Sequence, residues 1–190
     1  MLKNTSLTTY ISILRGINVS GKNIIKMEAL RNLYTTMGFY DIHTYLQSGN
    51  VTFRALATDE QMLEQTIEQY IKKEFSLDIP VQVMNVEALK NVIHNNPFLK
   101  DETLDPSFFH VTFLKIPPAV VDLKAIESKK TEQEKMAFSG KVIYLYCPEG
   151  YGNTKLNNNF LETRLKVTAT TRNWKTTTAL LQLAQETEIL

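Results

Sequence analysis

The sequence predicts an α+β protein of two ferredoxin-like (βαββαβ) repeats, with antiparallel sheets and helices packed on them. Three observations carry that expectation. Short alternating runs rich in β-branched and aromatic residues sit between stretches whose apolar residues recur three and four apart, the periods of strand and helix. The order strand, helix, strand, strand, helix, strand, then helix, is read twice along the 190 residues. Finally, Ser48-Gly49-Asn50-Val51 overlays Ser139-Gly140-Lys141-Val142 at an offset of 91, and a helix near 59–75 lands on 150–166, which suggests an internal duplication.

In the first half, Tyr10–Arg15 alternates as a strand and runs into a polar, turn-forming stretch, Gly16–Asn23. Met27, Leu30, Leu33, Tyr34 and Met37 then mark one face of a helix, with Gly38 placed to end it in the left-handed conformation. Ile42–Leu46 and Val51–Phe53 flank Gln47–Asn50 as a hairpin. Thr58-Asp59-Glu60-Gln61 has the form of a capping box and opens a helix on Leu63, Ile67, Tyr70 and Ile71. Pro80–Met84 reads as a strand, and Val86, Leu89, Val92 and Ile93 as a short helix.

The second half repeats this order. Phe108–Leu114 is a strand, and Pro117-Pro118 opens a helix through Val121, Leu123 and Ile126. Met136–Phe138 and Val142–Tyr146 form a hairpin around Ser139–Lys141. Leu156, Phe160, Leu161 and Leu165 form a helical stripe, Val167–Thr170 a short strand, and Trp174–Glu188 a last helix capped by Asn173. The expected division is a first repeat with its extra helix at 1–95, a linker at 96–106, and a second repeat with a C-terminal helix at 107–190.

Composition narrows the function classes. Apolar residues make up 43% and charged residues 22%, a globular balance. The net charge of +1 ranks single-stranded nucleic-acid binding third among the readings. The basic excess lies at the ends: 1–54 carry net +4, 55–135 net −5 and 136–190 net +2. One cysteine, Cys147, allows no disulfide within the chain, and no apolar run approaches the ~20 residues that span a bilayer. A cytoplasmic protein with no membrane partner is expected. His43, His94 and His110 have no ligand spacing, so no metal is expected. Glu60, Glu64 and Glu68, four residues apart, read as a solvated helix face. No catalytic residue or cofactor is assigned.

One comparison of the halves points to a site. The first half is seven residues longer between its first strand and its hairpin turn, and the surplus is placed in the loop Gly16–Asn23. In a βαββαβ unit that loop and the Gln47–Asn50 turn emerge at one edge of the sheet. The edge would gather Arg15, Gly16, Asn18, Ser20, Gly21, Lys22, Asn23, Gln47, Ser48, Gly49 and Asn50, with no carboxylate in either stretch. Glycine-permitted turns can aim successive N–H groups at an anion, and the following helix start adds partial positive charge. A small anionic, phosphate- or nucleotide-like ligand is therefore expected there. The competing reading is that Asn, Gly and Ser are simply turn formers. Gly16 and Gly21-Lys22 have P-loop spacing, but Asn23 stands where Ser or Thr is required. Arg172, Asn173 and Trp174 form a second candidate, a cation beside an indole. The alternative function is a protein-interaction or self-association module, with a homo-oligomer as its simplest form.

Leu14–Asn23 followed by Lys26-Met27 resembles the opening signature of the bacterial family catalogued as domain of unknown function 1697. Gln47–Val51 and Thr168–Trp174 are similar to that family too. The resemblance implies a cytoplasmic α+β protein with ferredoxin-like repeats. It implies no catalytic residue.

Overall fold

The computed structural model describes residues 6–188. The elements, in order, are β1 (Leu7–Leu14), α1 (Met27–Thr36), β2 (Tyr40–Tyr45), β3 (Asn50–Leu56), α2 (Glu60–Phe75), β4 (Val81–Asn85), α3 (Val86–His94), β5 (Phe109–Leu114), α4 (Leu123–Glu127), β6 (Lys135–Ser139), β7 (Val142–Tyr146), α5 (Asn158–Leu165), β8 (Ala169–Asn173) and α6 (Trp174–Glu188). They form two four-stranded antiparallel sheets of the same plan, β2-β3-β1-β4 and β6-β7-β5-β8. The α+β class and the paired strand orders agree with the expectation. The chain divides into a first unit that runs to Asn91 and takes in the chain from Ala179, and a second, Val92–Thr178. The stretch 96–106 forms a 3-10 turn at Pro97–Lys100 and leads to another at Pro106–Phe108.

In the first unit, Tyr10 and Leu14 of β1, Val51, Phe53 and Ala55 of β3, and Val81 and Val83 of β4 face α1 and α2. Phe53 is the hub: it stacks on Phe39 at 4.6 Å between centroids and meets Tyr34 edge-on at 5.4 Å. Inside this core the Ser12 and Tyr34 hydroxyls share a 2.8 Å hydrogen bond. Burial holds the Tyr34 phenol well above its ordinary pKa, so it stays neutral. Residues of the opposite face of β1, Thr9, Ile11 and Ile13, are buried as well.

The second unit packs Leu114, Ile143, Leu145 and Ala169 of its sheet against Ile126, Leu161 and Leu165. On the other face Phe109 meets Tyr146 and Trp174 edge-on, and the Tyr144 hydroxyl donates to the Val92 carbonyl at 2.8 Å.

Several local expectations are corrected. Pro117-Pro118 does not open a helix. The chain stays non-helical until Asp122, whose carboxylate caps the five-residue α4 through the Ala125 N–H. Each proline pushes the residue before it, Ile116 and Pro117, away from the helical region, and the first side-chain cap downstream is that of Asp122. α1 has ten residues and α4 only five, so the longer first half is shared between loop and helix. The N-cap of α2 is Asp59 rather than Thr58: its carboxylate accepts from Gln61 and Met62 N–H. Thr58 is held instead by the Tyr10 hydroxyl, which donates to its carbonyl at 3.0 Å and accepts from its N–H at 3.1 Å. Tyr70 is exposed, and the buried residues of α2 are Leu63, Glu64, Ile67 and Ile71. α5 begins at Asn158, not near 150, because the segment 147–155 turns through Gly150, φ +90°.

The Ser-Gly overlay is displaced by one residue. Leu14 N–H donates to the Gly49 carbonyl and Leu114 N–H to that of Lys141, both at 2.8 Å, so Gly49 matches Lys141 and not Gly140. The two hairpins have turns of different length, Leu46–Gly49 and Gly140-Lys141.

The three glutamates of α2 are not a solvated face. Their carboxylates accept the N–H groups along β4: Glu68 from Val81 at 2.9 Å, Glu64 from Val83 at 3.0 Å and Glu60 from Asn85 at 3.1 Å. Alternate residues of a strand offer N–H groups to one side, and carboxylates one helical turn apart keep step with them. The row closes an edge that would otherwise invite a foreign strand. In the second unit Glu162 of α5 does the same for Ala169 of β8, at 2.9 Å.

Candidate functional site

The loop after β1 is built by backbone sign. Gly16, Asn18, Ser20, Gly21 and Asn23 all have positive φ, between +48° and +74°. Gly adopts that region without penalty and Asn tolerates it better than most residues. Ser20-Gly21 forms the centre of a tight turn closed by Lys22 N–H to the Val19 carbonyl at 3.0 Å, and Asn18 N–H reaches the Asn23 carbonyl at 3.2 Å below it. Lys22 thus closes a small hairpin and does not lead into a helix as a P-loop lysine does. Ile17 and Ile25, 1% and 2% exposed, anchor the loop's two limbs in the core.

Asn18 joins this loop to the hairpin turn. Its Nδ2 donates to the Gln47 carbonyl at 2.8 Å and to the Ile25 carbonyl at 2.9 Å, while its Oδ1 accepts the Ile25 N–H at 2.9 Å. The two bends, 29 residues apart in sequence, are therefore neighbours. Asn23 Nδ2 donates to the Gly16 carbonyl at 3.0 Å. Asn50 is fully buried and donates to the Tyr45 carbonyl and to Ser48 Oγ, each at 2.9 Å. Three of the four expected amide side chains thus hold the bends in shape.

The outer surface of the bends is left to other groups. Ser20, Gly21, Lys22, Asn23, Lys26 and Gln47 are exposed, and Arg15, Gly16, Asn18 and Ser48 half-buried. Arg15 is set by its N–H, which donates to the Pro80 carbonyl at 2.9 Å. Val19, Ile24 and Leu46 are also exposed, by 56%, 61% and 57%, an apolar component that reading the polar residues alone had missed. Gly49 lies beneath, buried. Lys26 is the N-cap residue of helix α1, and its side chain makes no capping hydrogen bond. Arg172, Asn173 and Trp174 belong to the second unit. There Asn173 caps α6 through the Thr176 N–H, Arg172 donates to the Thr171 carbonyl at 3.0 Å, and Trp174 packs on Phe109.

A polar cluster in the second unit had no sequence signal. His110 stacks on Tyr151 at 4.9 Å, and the Tyr151 hydroxyl donates to Thr171 Oγ1, which also bonds Thr112 Oγ1 and Asn158 Oδ1. These residues come from β5, β8, the loop before α5 and the first residue of α5, so only tertiary packing unites them. Burial lowers the His110 pKa, against a smaller raising effect of the hydrogen bond with the Phe108 carbonyl. The folded state therefore binds fewer protons than the unfolded chain near and below the usual imidazole range. Stability is retained above pH ~6.5 and falls on acidification toward the lowered folded value. We expect unfolding free energy, measured in urea, to drop between neutral pH and pH about 5, and His110→Phe to flatten that part of the slope. An unchanged slope would assign the loss to other groups. Cys147 is buried, and burial with the nearby Glu134 charge pushes its thiol up to about 12, which leaves it unreactive at neutral pH.

Among the described residues no group of three or more His, Cys, Asp or Glu could hold a metal ion, and no helix is long and apolar enough to cross a membrane. No curated protein matches the chain. Among solved structures, the conserved bacterial protein SP0830 from Streptococcus pneumoniae is similar in fold. Its TM-score is 0.70 and its identity 24%, over 94% of this chain and 99% of that one. The model of a family described as a protein of unknown function, DUF1697, matches residues 7–144. That span takes in the loop, the hairpin turn and most of both sheets, and the chain belongs to the DUF1697 family.

Proposed function

We propose that the paired bends at 15–26 and 46–49 bind a small ligand that carries both an anionic and an apolar part, as a nucleotide does. The observation that carries this reading is the joint exposure of Lys22 and Lys26 with Val19, Ile24 and Leu46 on bends already held together by Asn18. Neither stretch contains a carboxylate. The lysines supply positive charge, partly offset at the start of α1 by Glu28 in its first turn, and the apolar side chains offer a surface for a base or ring. The groups that carry the reading are cationic, apolar and amide, which suits recognition; the one carboxylate in the first turn of α1 is the exposed Glu28. A cytoplasmic setting suits a chain whose one cysteine is a free thiol. We also read the two units as copies of one ancestral unit. The support is their common strand order and the matching roles of Glu68 and Glu162 at the edges of β4 and β8.

Thermal shift at constant ionic strength tests the binding. Pyrophosphate, a nucleoside monophosphate and a nucleoside triphosphate are compared with chloride and with a single-stranded oligonucleotide. A ligand at a hundred times its Kd stabilises by about 2.7 kcal/mol, a readable rise in Tm. Wild type should rise with at least one nucleotide, and the double variant Lys22→Ala, Lys26→Ala should lose most of that rise. No rise with any of them, or an equal rise in the double variant, refutes the reading. A rise with the oligonucleotide alone replaces it with nucleic-acid binding.

A further inference from the structure

The four outer strands of the two sheets are not treated alike. β4 has its N–H groups taken by Glu60, Glu64 and Glu68, and β8 has that of Ala169 taken by Glu162. β2 is broken by an irregularity between Tyr40 and His43, with Asp41 at φ +48°. β6 has none of these devices. It keeps unbroken register with β7 from Lys135↔Tyr146 to Ser139↔Val142.

The two-residue turn fixes which backbone groups of β6 face outward. Gly140, φ +57°, is the first turn residue, so the closing pair Ser139–Val142 exchanges both of its hydrogen bonds. Alternation then turns Lys135, Ala137 and Ser139 toward β7, and Met136 and Phe138 away from it. Among the described residues, no hydrogen bond reaches the backbone of Met136 or Phe138 from that outer side.

We propose that β6 is the dimerisation edge of this protein, pairing antiparallel with β6 of a second copy about a twofold axis at Ala137. The strand Lys135-Met136-Ala137-Phe138-Ser139 is suited to itself. Turned about Ala137, Met136 lies opposite Phe138 and exchanges both backbone hydrogen bonds with it, at both symmetry-related places. The outward groups are thereby used in full. Met136 and Phe138 stay on the face they already share with the second unit's core, so the pairing preserves the alternation of the sheet. Lys135 falls opposite Ser139, so the two lysines avoid each other, and the exposed Glu132 of one copy approaches Lys141 of the other. The result joins two four-stranded sheets into one of eight. This surface is separate from the bends of the proposed ligand site and does not rest on them.

Mass in solution and a cysteine cross-link test the pairing. By light scattering at high micromolar concentration, wild type should have twice the 21.8 kDa chain mass. Met136→Pro removes one outward N–H and should halve the mass. In the second variant, Ala137→Cys, the twofold sets two cysteines opposite each other at a non-hydrogen-bonded pair. There the Cα atoms lie ~4.5 Å apart, within disulfide reach. Mild oxidation should convert this variant to a covalent dimer, while wild type, whose Cys147 is buried, should not cross-link. A monomeric wild type, an undiminished dimer in Met136→Pro, or an Ala137→Cys protein that stays uncross-linked overturns the proposal. Where Met136→Pro does not fold, the cross-link decides.

Discussion

Gly49→Ala should destabilise the protein by roughly 2–5 kcal/mol, a large share of the 5–15 kcal/mol that holds a typical domain. Two costs add. The residue sits at φ +70°, where an L side chain is strained by about 1–2 kcal/mol. A Cβ there would also stand 2.7 Å from Leu14 Cβ and 2.7 Å from Ile17 Cδ1. Ile17 Cδ1 can swing aside, but Leu14 Cβ is fixed to the β1 backbone and Leu14 is fully buried, so the sheet itself must move. Overpacking of this kind adds about 1–3 kcal/mol. Gly140→Ala is the control. It also has a positive φ, but a Cβ there meets nothing within 4 Å, so only the strain applies. Urea denaturation of the two variants reads the difference. Equal losses would show that Gly49 is required for its backbone angle alone.

Glu64→Leu should cost about 1–3 kcal/mol, because it leaves the Val83 N–H buried without its acceptor. The leucine fits the apolar neighbourhood of Leu63 and Ile67, so hydrophobicity alone would predict a gain in stability. Glu64→Gln retains a carbonyl oxygen and should lose less than half as much. Light scattering on warming is the second readout: Glu64→Leu should aggregate earlier, since a gap in the carboxylate row exposes β4 to another strand. A leucine variant as stable as wild type would show that the hydrogen bond contributes nothing net.

Much of this fold was legible from period and turn chemistry. β1, β7 and α6 follow from alternation, from the Ser139–Lys141 turn and from the Asn173 cap, all of them local signals. Local competition between signals produced the errors. Thr58 and Asp59 could each cap α2, and Asp59 prevails because the Tyr10 hydroxyl holds the Thr58 backbone. Pro117-Pro118 resembles a helix start, while Asp122 supplies the actual one. The glutamate row was illegible for a different reason. Three charges at four-residue spacing look the same whether water or a strand edge lies opposite, and only the packing of α2 on β4 decides. At the candidate site, topology was enough to bring the two bends together. It could not show that Asn18, Asn23 and Asn50 spend their amides on the carbonyls of Gln47, Ile25, Gly16 and Tyr45, nor that Val19, Ile24 and Leu46 would be left outside.

The Asn18 bridge also bears on kinetics. A loop that is tied at both limbs and across to its neighbour has no folding left to do when a visitor arrives. Association at that surface would then proceed as a single exponential whose observed rate climbs in proportion to concentration, with no plateau set by an internal rearrangement. Cutting the tie with Asn18→Ala would introduce such a plateau, even where the final complex looked the same.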